Sequence, residues 1–309
     1  MEYAYNYIGG VNRATLKKEI TIEGIGLHSG CKVTLKLIPA PAGNGLVFRG
    51  RGSRTQGDIP VTPYHVIDTQ QAVTLGNGVW TVSTVEHLLA ALAVAGVTDL
   101  DMEIDAPEMP ILDGSAEPFY MAVMEAGIRD LDEPLEPITL NFPVWAVQED
   151  RYIIALPYDG FRVTYGISFD HPLLRGQSLT LDLNSETCVT DILPARTFGF
   201  FKDLKHMQSK GLALGASLDN AIVLTDDGVM NEALRFENEC IRHKTLDLLG
   251  DLFLIGRPLK AHIIASKAGH MLDVALGQNI LDITSGDELE MRREIREGRL
   301  PSEDFRSMV

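Results

Sequence analysis

Polar and apolar residues alternate along 19–25 and again along 32–38, with Gly26, Ser29 and Gly30 between them. That pattern predicts two antiparallel strands joined by a glycine-rich bend. The alternation returns over 71–75 and 79–82 around Asn77-Gly78, a second hairpin. Asn-Gly suits a type I′ turn, in which both central residues take positive φ. The period then changes. Val85, Leu88, Leu89, Leu92 and Ala95 recur at helical spacing from a start near Ser83-Thr84, and Gly96 stands where a helix is capped. A strand over 99–105 and a helix over 117–126, stopped by Gly127, complete the first half.

Residues 130–137 are acidic and hold two prolines, the best linker candidate in the chain. Beyond them the pattern begins again. Strands are predicted over 138–147, 152–156 and 161–169. A helix over 201–210, a strand over 221–224, a long helix over 234–255, a strand over 259–266 and a helix from about Gly269 follow. Each half is a run of strands followed by helices, which predicts α+β rather than a doubly wound parallel sheet. The expected organisation is two similarly built domains, 13–133 and 137–300. The mixed-charge tail after Ser285 reads as a solvated helix.

Composition narrows the function. With 27 Lys+Arg against 43 Asp+Glu, the formal charge is −16. That disfavours broad binding to nucleic acid or to an anionic lipid surface, but leaves room for a local basic pocket. Cys31, Cys188 and Cys240 are far apart and form no CxxC pair, which argues against a zinc ribbon or a disulfide scaffold and fits a reduced cytoplasmic setting. The N-terminus lacks the basic-then-apolar order of a secretory leader. The longest apolar run, 88–96, is far short of the ~20 residues of a membrane span. Neither a Walker A motif nor a dinucleotide-binding glycine fingerprint is present.

Chemistry is concentrated at a few positions. Glu86-His87 falls in the first turn of a predicted helix, where the dipole favours an ionised Glu and a neutral, metal-binding imidazole. A carboxylate beside a liganding His can take a proton from water at the metal. Equally, Ser83-x-x-Glu86 matches a capping box, in which Glu86 only satisfies a backbone N–H. His243 and Asp247, four apart in the long helix, share a face and can converge on one cation, and Asp251 extends that face by a turn. One more His would complete three ligands of a catalytic zinc, although a His–Asp pair on a helix surface is the simpler reading of the two residues alone. His270, at a strand-to-helix corner, is suited to donate a proton, or simply to cap. His28 sits in the first glycine-rich bend, which the hairpin alone explains.

Taken together, these segments resemble the UDP-3-O-acyl-N-acetylglucosamine deacetylases, zinc enzymes of bacterial lipid A synthesis. The matching stretches, in order, are Gly24-Ile-Gly-Leu-His-Ser-Gly30; Ser83-Thr-Val-Glu-His-Leu88; Ala106-Pro-Glu-Met-Pro-Ile-Leu-Asp-Gly-Ser115; Ala195-Arg-Thr-Phe-Gly199; Arg235-Phe-Glu237; Arg242-His-Lys-Thr-Leu-Asp247 with Gly250-Asp251; and Lys267-Ala-Gly-His270. They cover roughly 13–282.

The resemblance implies that His87, His243 and Asp247 are the ligands of one catalytic Zn2+, with Fe2+ as an alternative ion. It implies Glu86 as general base, His270 as general acid oriented by Asp251, and Thr197 as a hydrogen-bond donor to the oxyanion. Phe198 and Lys244 would help hold the substrate, a nucleotide-sugar lipid precursor. The fold implied is two domains with helices facing inward between the sheets, and a β-α-β insert near 200–224 forming an apolar passage for the acyl chain. A cytoplasmic monomer without an integral membrane segment or a nucleic-acid partner is expected. Two other readings remain: a metal amidohydrolase with a different acyl amide as substrate, and a non-catalytic scaffold whose histidines and acids are structural.

Overall fold

In the computed structural model, which describes residues 11–50, 56–284 and 286, strand and helix follow the pattern of the sequence closely. The first half contains β1 (Val11–Leu16), β2 (Ile20–Ile25), β3 (Lys32–Pro39), β4 (Leu46–Phe48), β5 (Ile59–Pro60), β6 (Val66–Asp68), β7 (Thr74–Gly76), β8 (Thr81–Ser83), α1 (Glu86–Ala95), β9 (Leu100–Ile104), α2 (Glu117–Ala126) and β10 (Ile128–Leu135). The second contains β11 (Ile138–Thr139), β12 (Val144–Gln148), β13 (Arg151–Pro157), β14 (Phe161–Ile167), β15 (Gln177–Asp182), α3 (Ser185–Thr187), β16 (Phe198–Phe200), α4 (Phe201–Ser209), β17 (Ile222–Leu224), α5 (Glu239–Phe253), β18 (Leu259–Ser266) and α6 (His270–Thr284).

The main sheet of the first half runs β2-β3-β9-β4-β5, beside a smaller β6-β7-β8 sheet. That of the second runs β12-β13-β18-β14-β15, with β11 alongside β18. Pairing is mostly antiparallel; β4/β9, β11/β18, β14/β18 and β16/β17 are the parallel pairs. This is the α+β class expected. The inward faces carry the apolar halves of the alternating strands: Leu35, Leu37 and Met102 in one sheet, Val163, Tyr165, Ile153 and Ile263 in the other, all buried.

Between the sheets lie the helices. Every residue of α1 from Glu86 to Val94 is buried, far beyond what one apolar stripe needs. It is buried because α1 packs on both α5 and α2. A Cβ built on Gly250 of α5 would lie 2.1 Å from the backbone oxygen of Glu86. Glycine at 250 therefore lets the two helices touch backbone to backbone, at the level where α1 presents Glu86 and His87.

Several local expectations are corrected. The acidic 130–137 stretch is not a free linker: Ile128–Leu135 is β10, paired antiparallel with β1 from Leu16↔Ile128 to Val11↔Leu135. A two-stranded ribbon leaves each strand one open edge, and proline is found in sheets on such edge strands. The strand predicted over 138–147 is two strands, interrupted at 140–143, where Pro143 cannot donate to a ladder. The hairpin at Asn77-Gly78 has a four-residue loop between Gly76 and Thr81, and only Gly78 has positive φ. The Asn77 side chain accepts the N–H groups of Val79 and Trp80, supplying the turn itself. Helix α5 begins at Glu239, not 234, because the Glu239 carboxylate accepts the Arg235 N–H and the Arg235 guanidinium donates to Pro194 and Asp113. Those bonds hold 235–238 outside the helix. The helix expected after Ser285 lies outside the described residues.

Candidate metal centre

The capping reading of Glu86 fails on geometry. The residue preceding α1 is Val85, and no side chain caps the helix. Ser83 belongs to β8 and accepts the Thr74 hydroxyl. The Glu86 carboxylate instead accepts the backbone N–H of Val73 at 3.1 Å through Oε2. Thr84, just before the helix, is forced to φ +61. For a β-branched residue that is a strained conformation, and its hydroxyl is held by Glu108. The strain turns the chain sharply enough for Glu86 and His87 to enter the interior together.

His87, His243 and Asp247 meet there. One ligand atom from each lies within 4.8 Å of the others, and all three residues are buried. Asp247 Oδ1 is 3.3 Å from His243 Nε2 and 3.8 Å from His87 Nε2. The far atoms of His243 and Asp247 are held by groups that orient them, while His87 Nδ1 is buried without a hydrogen-bond partner. His243 Nδ1 lies 3.0 Å from the Ala195 carbonyl, which fixes the N–H there and leaves Nε2 unprotonated. Asp247 Oδ2 accepts Lys244 Nζ at 2.8 Å.

The electrostatics agree. Burial, reinforced by His243, pushes His87 down to about 3, so its ring is neutral. His243 is lowered by the same burial. Burial works against charge on Asp247, but positive charge on its neighbours, on His243 when that ring is protonated and on Lys244 throughout, overcomes it and holds the carboxyl well below its usual range. Two neutral imidazoles and one carboxylate form a donor set that fits a divalent ion.

Beside this triad stand an acid and a base. Glu86 Oε1 is 4.0 Å from His270 Nε2. His270 begins α6, and its Nδ1 lies 2.7 Å from Asp251 Oδ2. Burial raises Glu86 to about 8, with Asp251 and Asp247 adding to the shift and His270 opposing it. The same burial, with Asp247 near, raises Asp251 well above its ordinary value.

A cleft of about 660 Å³ opens onto these groups. Glu86, His87, Thr197, Phe198, His243, Lys244, Asp247 and His270, all singled out in the sequence, line it; Asp251 lies behind His270. Thr197 is held by its backbone: its N–H donates to Gly114 and its carbonyl accepts Ile222. The Phe198 ring stands edge-on to His243, with centroids 6.4 Å apart. Phe169 packs against Phe198 and Phe200, each at 5.8 Å, making an aromatic wall. The expected β-α-β insert is present as β16, α4 and β17, the two strands parallel. Helix α4 buries no residue, and Phe201, Leu214 and Leu218 stay exposed.

His28 also reaches the cleft, which the hairpin reading did not foresee. Its N–H and that of Ser29 donate to the Glu108 carboxylate at 2.7 Å. Nor did periodicity single out Tyr165 or Asp273, both fully buried and both within electrostatic reach of Asp251. A buried Asp in an otherwise apolar helix turn was the one available signal.

The fold and the site thus define a class: an α+β protein with a two-histidine, one-carboxylate cluster able to hold a metal ion, flanked by a glutamate and a histidine–aspartate pair. Comparison with known proteins sharpens it. Residues 13–282 match the family profile of UDP-3-O-acyl N-acetylglycosamine deacetylase. A protein of Leptospira biflexa named UDP-3-O-acyl-N-acetylglucosamine deacetylase is 52% identical over 287 residues, 93% of this chain and 95% of that one. Proteins of the same name from Myxococcus xanthus and Syntrophotalea carbinolica are 42% and 40% identical, over 92% and 88% of this chain and 91% and 88% of their own. This chain belongs to the UDP-3-O-acyl N-acetylglycosamine deacetylase family.

Proposed function

We propose that the cleft hydrolyses the N-acetyl group of a UDP-3-O-(3-hydroxyacyl)-N-acetylglucosamine, releasing acetate and the free amine for lipid A synthesis. The observation that carries the chemistry is the convergence of His87, His243 and Asp247 on one point beside Glu86 and His270. In this reading the triad holds one Zn2+, and Fe2+ suits the same donors. Such an ion, when bound, polarises the amide carbonyl and makes water more acidic.

The side chains do the rest. Glu86, anchored through Oε2 by Val73, has Oε1 free to take a proton from the attacking water. A cation at the adjacent triad favours its ionised form, against the burial that raises it. His270 gives a proton to the departing amine from Nε2, because Nδ1 is engaged by Asp251. Thr197, rigidly held at the start of β16, offers its hydroxyl to the oxyanion. Phe198 supplies a flat face to the nucleotide-sugar. Lys244 faces the cleft with its charge already tied to Asp247, so it assists binding as part of an ion pair.

The aromatic wall and α4 support a passage for the acyl chain. Phe201, Leu214 and Leu218 are exposed apolar side chains that a fatty chain would cover. The two halves, 13–133 and 137–300, are read as two domains. Among the described residues no helix is long and apolar enough to cross a membrane. The enzyme is read as a cytoplasmic monomer, in keeping with its widely separated free cysteines.

The test is acetate release from a UDP-(3-O-acyl)-N-acetylglucosamine compared with UDP-N-acetylglucosamine and free N-acetylglucosamine. Turnover that falls sharply when the acyl group is removed, and again when the nucleotide is removed, is expected. Equal turnover of all three would contradict the assignment of substrate and favour a general amidohydrolase.

A further inference from the structure

Among the described residues five buried side-chain oxygens have no hydrogen-bond partner: Gln177 Oε1, on β15, and Tyr165 Oη, Asp251 Oδ1 and both carboxyl oxygens of Asp273. A buried oxygen left unpaired is costly, and native interiors hold few of them. The four of Tyr165, Asp251 and Asp273 are not scattered. Asp273 is fully buried, on α6 three residues after His270 and so on the same helix face. Tyr165, also fully buried, points inward from β14, which packs on α5, the helix of Asp251. The groups sense one another: Tyr165 lies within electrostatic reach of Asp273, Asp247 and Asp251, and Asp273 within reach of Asp251, Lys244, His270 and Asp247.

Their chemistry is complementary. Asp251 offers Oδ2 to His270, and its Oδ1 needs a donor. The Tyr165 hydroxyl is a donor whose proton is retained, since burial, with Asp273 near, raises it well above its ordinary value. A polar pocket with several inward-facing oxygens is the setting in which a buried water is held.

We propose that Tyr165 and Asp273 are positioning residues of the deacetylation: with an internal water they form a hydrogen-bond network around Asp251 Oδ1 that holds Asp251 against His270. The network keeps the imidazole ring aimed at the cleft and sustains Asp251 as the acceptor of the Nδ1 proton. Burial, with Asp247 adding to it, pushes Asp273 up to about 7, so its carboxyl also carries a donor through the acid half of the neutral range. The groups facing Asp273 are Lys244, Asp247 and Asp251 from α5, Tyr165 from β14 and His270 from its own helix.

The inference rests on the reading of His270 as general acid, so the experiment checks both. kcat, KM and metal content are measured for the metal-loaded wild type, His270→Ala, Asp251→Ala, Tyr165→Phe, Asp273→Ala, Asp273→Asn and the Asp251→Ala/Asp273→Ala pair. Tyr165→Phe and Asp273→Ala are expected to lower kcat by roughly 10-fold. KM and bound metal should change less than about twofold. Asp273→Asn, which keeps a donor and an acceptor, should recover most of the loss. In the Asp251→Ala background Asp273→Ala should add nothing, because the two act as one unit.

Wild-type kcat in both Tyr165→Phe and Asp273→Ala would overturn the network, and so would independent, multiplying losses in the double variant. If Asp273→Ala does not fold, Tyr165→Phe decides alone, since it removes one oxygen: an unchanged kcat overturns the proposal. Full activity of His270→Ala would instead overturn the reading of the acid itself, whatever the Asp273 variants do.

Discussion

At the scale of single residues, the account turns on what each polar side chain is bonded to. Glu86 and a capping glutamate differ in their partner, and the partner is the Val73 N–H. Glu86→Gln keeps the acceptor oxygen and the packing. It should retain stability and bound metal while losing roughly 10²–10⁴ in kcat, the usual worth of a positioned base. Near-normal turnover with a normal melting temperature would make Glu86 a structural residue. His270→Ala should remove or displace the alkaline limb of the kcat/KM profile, since the acid must be protonated to serve the amine. An unchanged limb would mean that another group titrates there. Much of this was legible beforehand: Glu86-His87, and His243 with Asp247 one turn apart, are local arrangements, and helical spacing fixes which side chains share a face. Tyr165 and Asp273 were not legible. Their meeting with Asp251 depends on how β14 and α6 pack on α5, which no local pattern encodes.

At the scale of elements, α5 is held at its start by charge and at its middle by a missing side chain. The Glu239 carboxylate accepts the Arg196 N–H, the Arg196 guanidinium and the Arg235 N–H. Burial opposes the charge of Glu239, but these bonds outweigh it and lower its pKa below the ordinary value. A lowered carboxyl contributes stability that is present above the unfolded pKa and is lost as the pH falls through the folded one. Glu239→Gln should therefore destabilise by about 3 kcal/mol at pH 7. The gap between variant and wild type should begin to narrow as the pH falls through the ordinary carboxylate range, about 4.3, and should close only below the lowered folded pKa. Urea unfolding at pH 7 and pH 3.5 measures this, and an equal gap at both would refute the charge assignment. Gly250→Ala should cost far more than the usual helix change, because its Cβ would meet the Glu86 backbone at 2.1 Å. The sequence announced most elements through periodicity. It misjudged β10 because acidity and prolines read as a linker, and a ribbon edge tolerates both.

At the scale of the whole molecule, ligands from α1 and α5 meet only because two inward-facing helices pack together between two sheets. An ion held by this triad would therefore link α1 to α5, and its binding to the folded state alone should raise the protein's stability. Chelation should lower the melting temperature, and zinc should restore it. The passage by the insert should make kcat/KM climb with acyl length by up to ~0.8 kcal/mol per methylene. A plateau is expected when the chain outgrows the proposed passage. A flat profile would remove the passage from the account. The most direct test of the centre itself is a titration of metal-stripped protein with zinc, reading acetate release. The account predicts that activity rises to a break at about one ion per chain, as three ligands and one open position require. His87→Ala, His243→Ala and Asp247→Ala, though folded, should show neither the break nor the activity. Full acetate release from metal-free protein, or an unchanged break in all three variants, would contradict it.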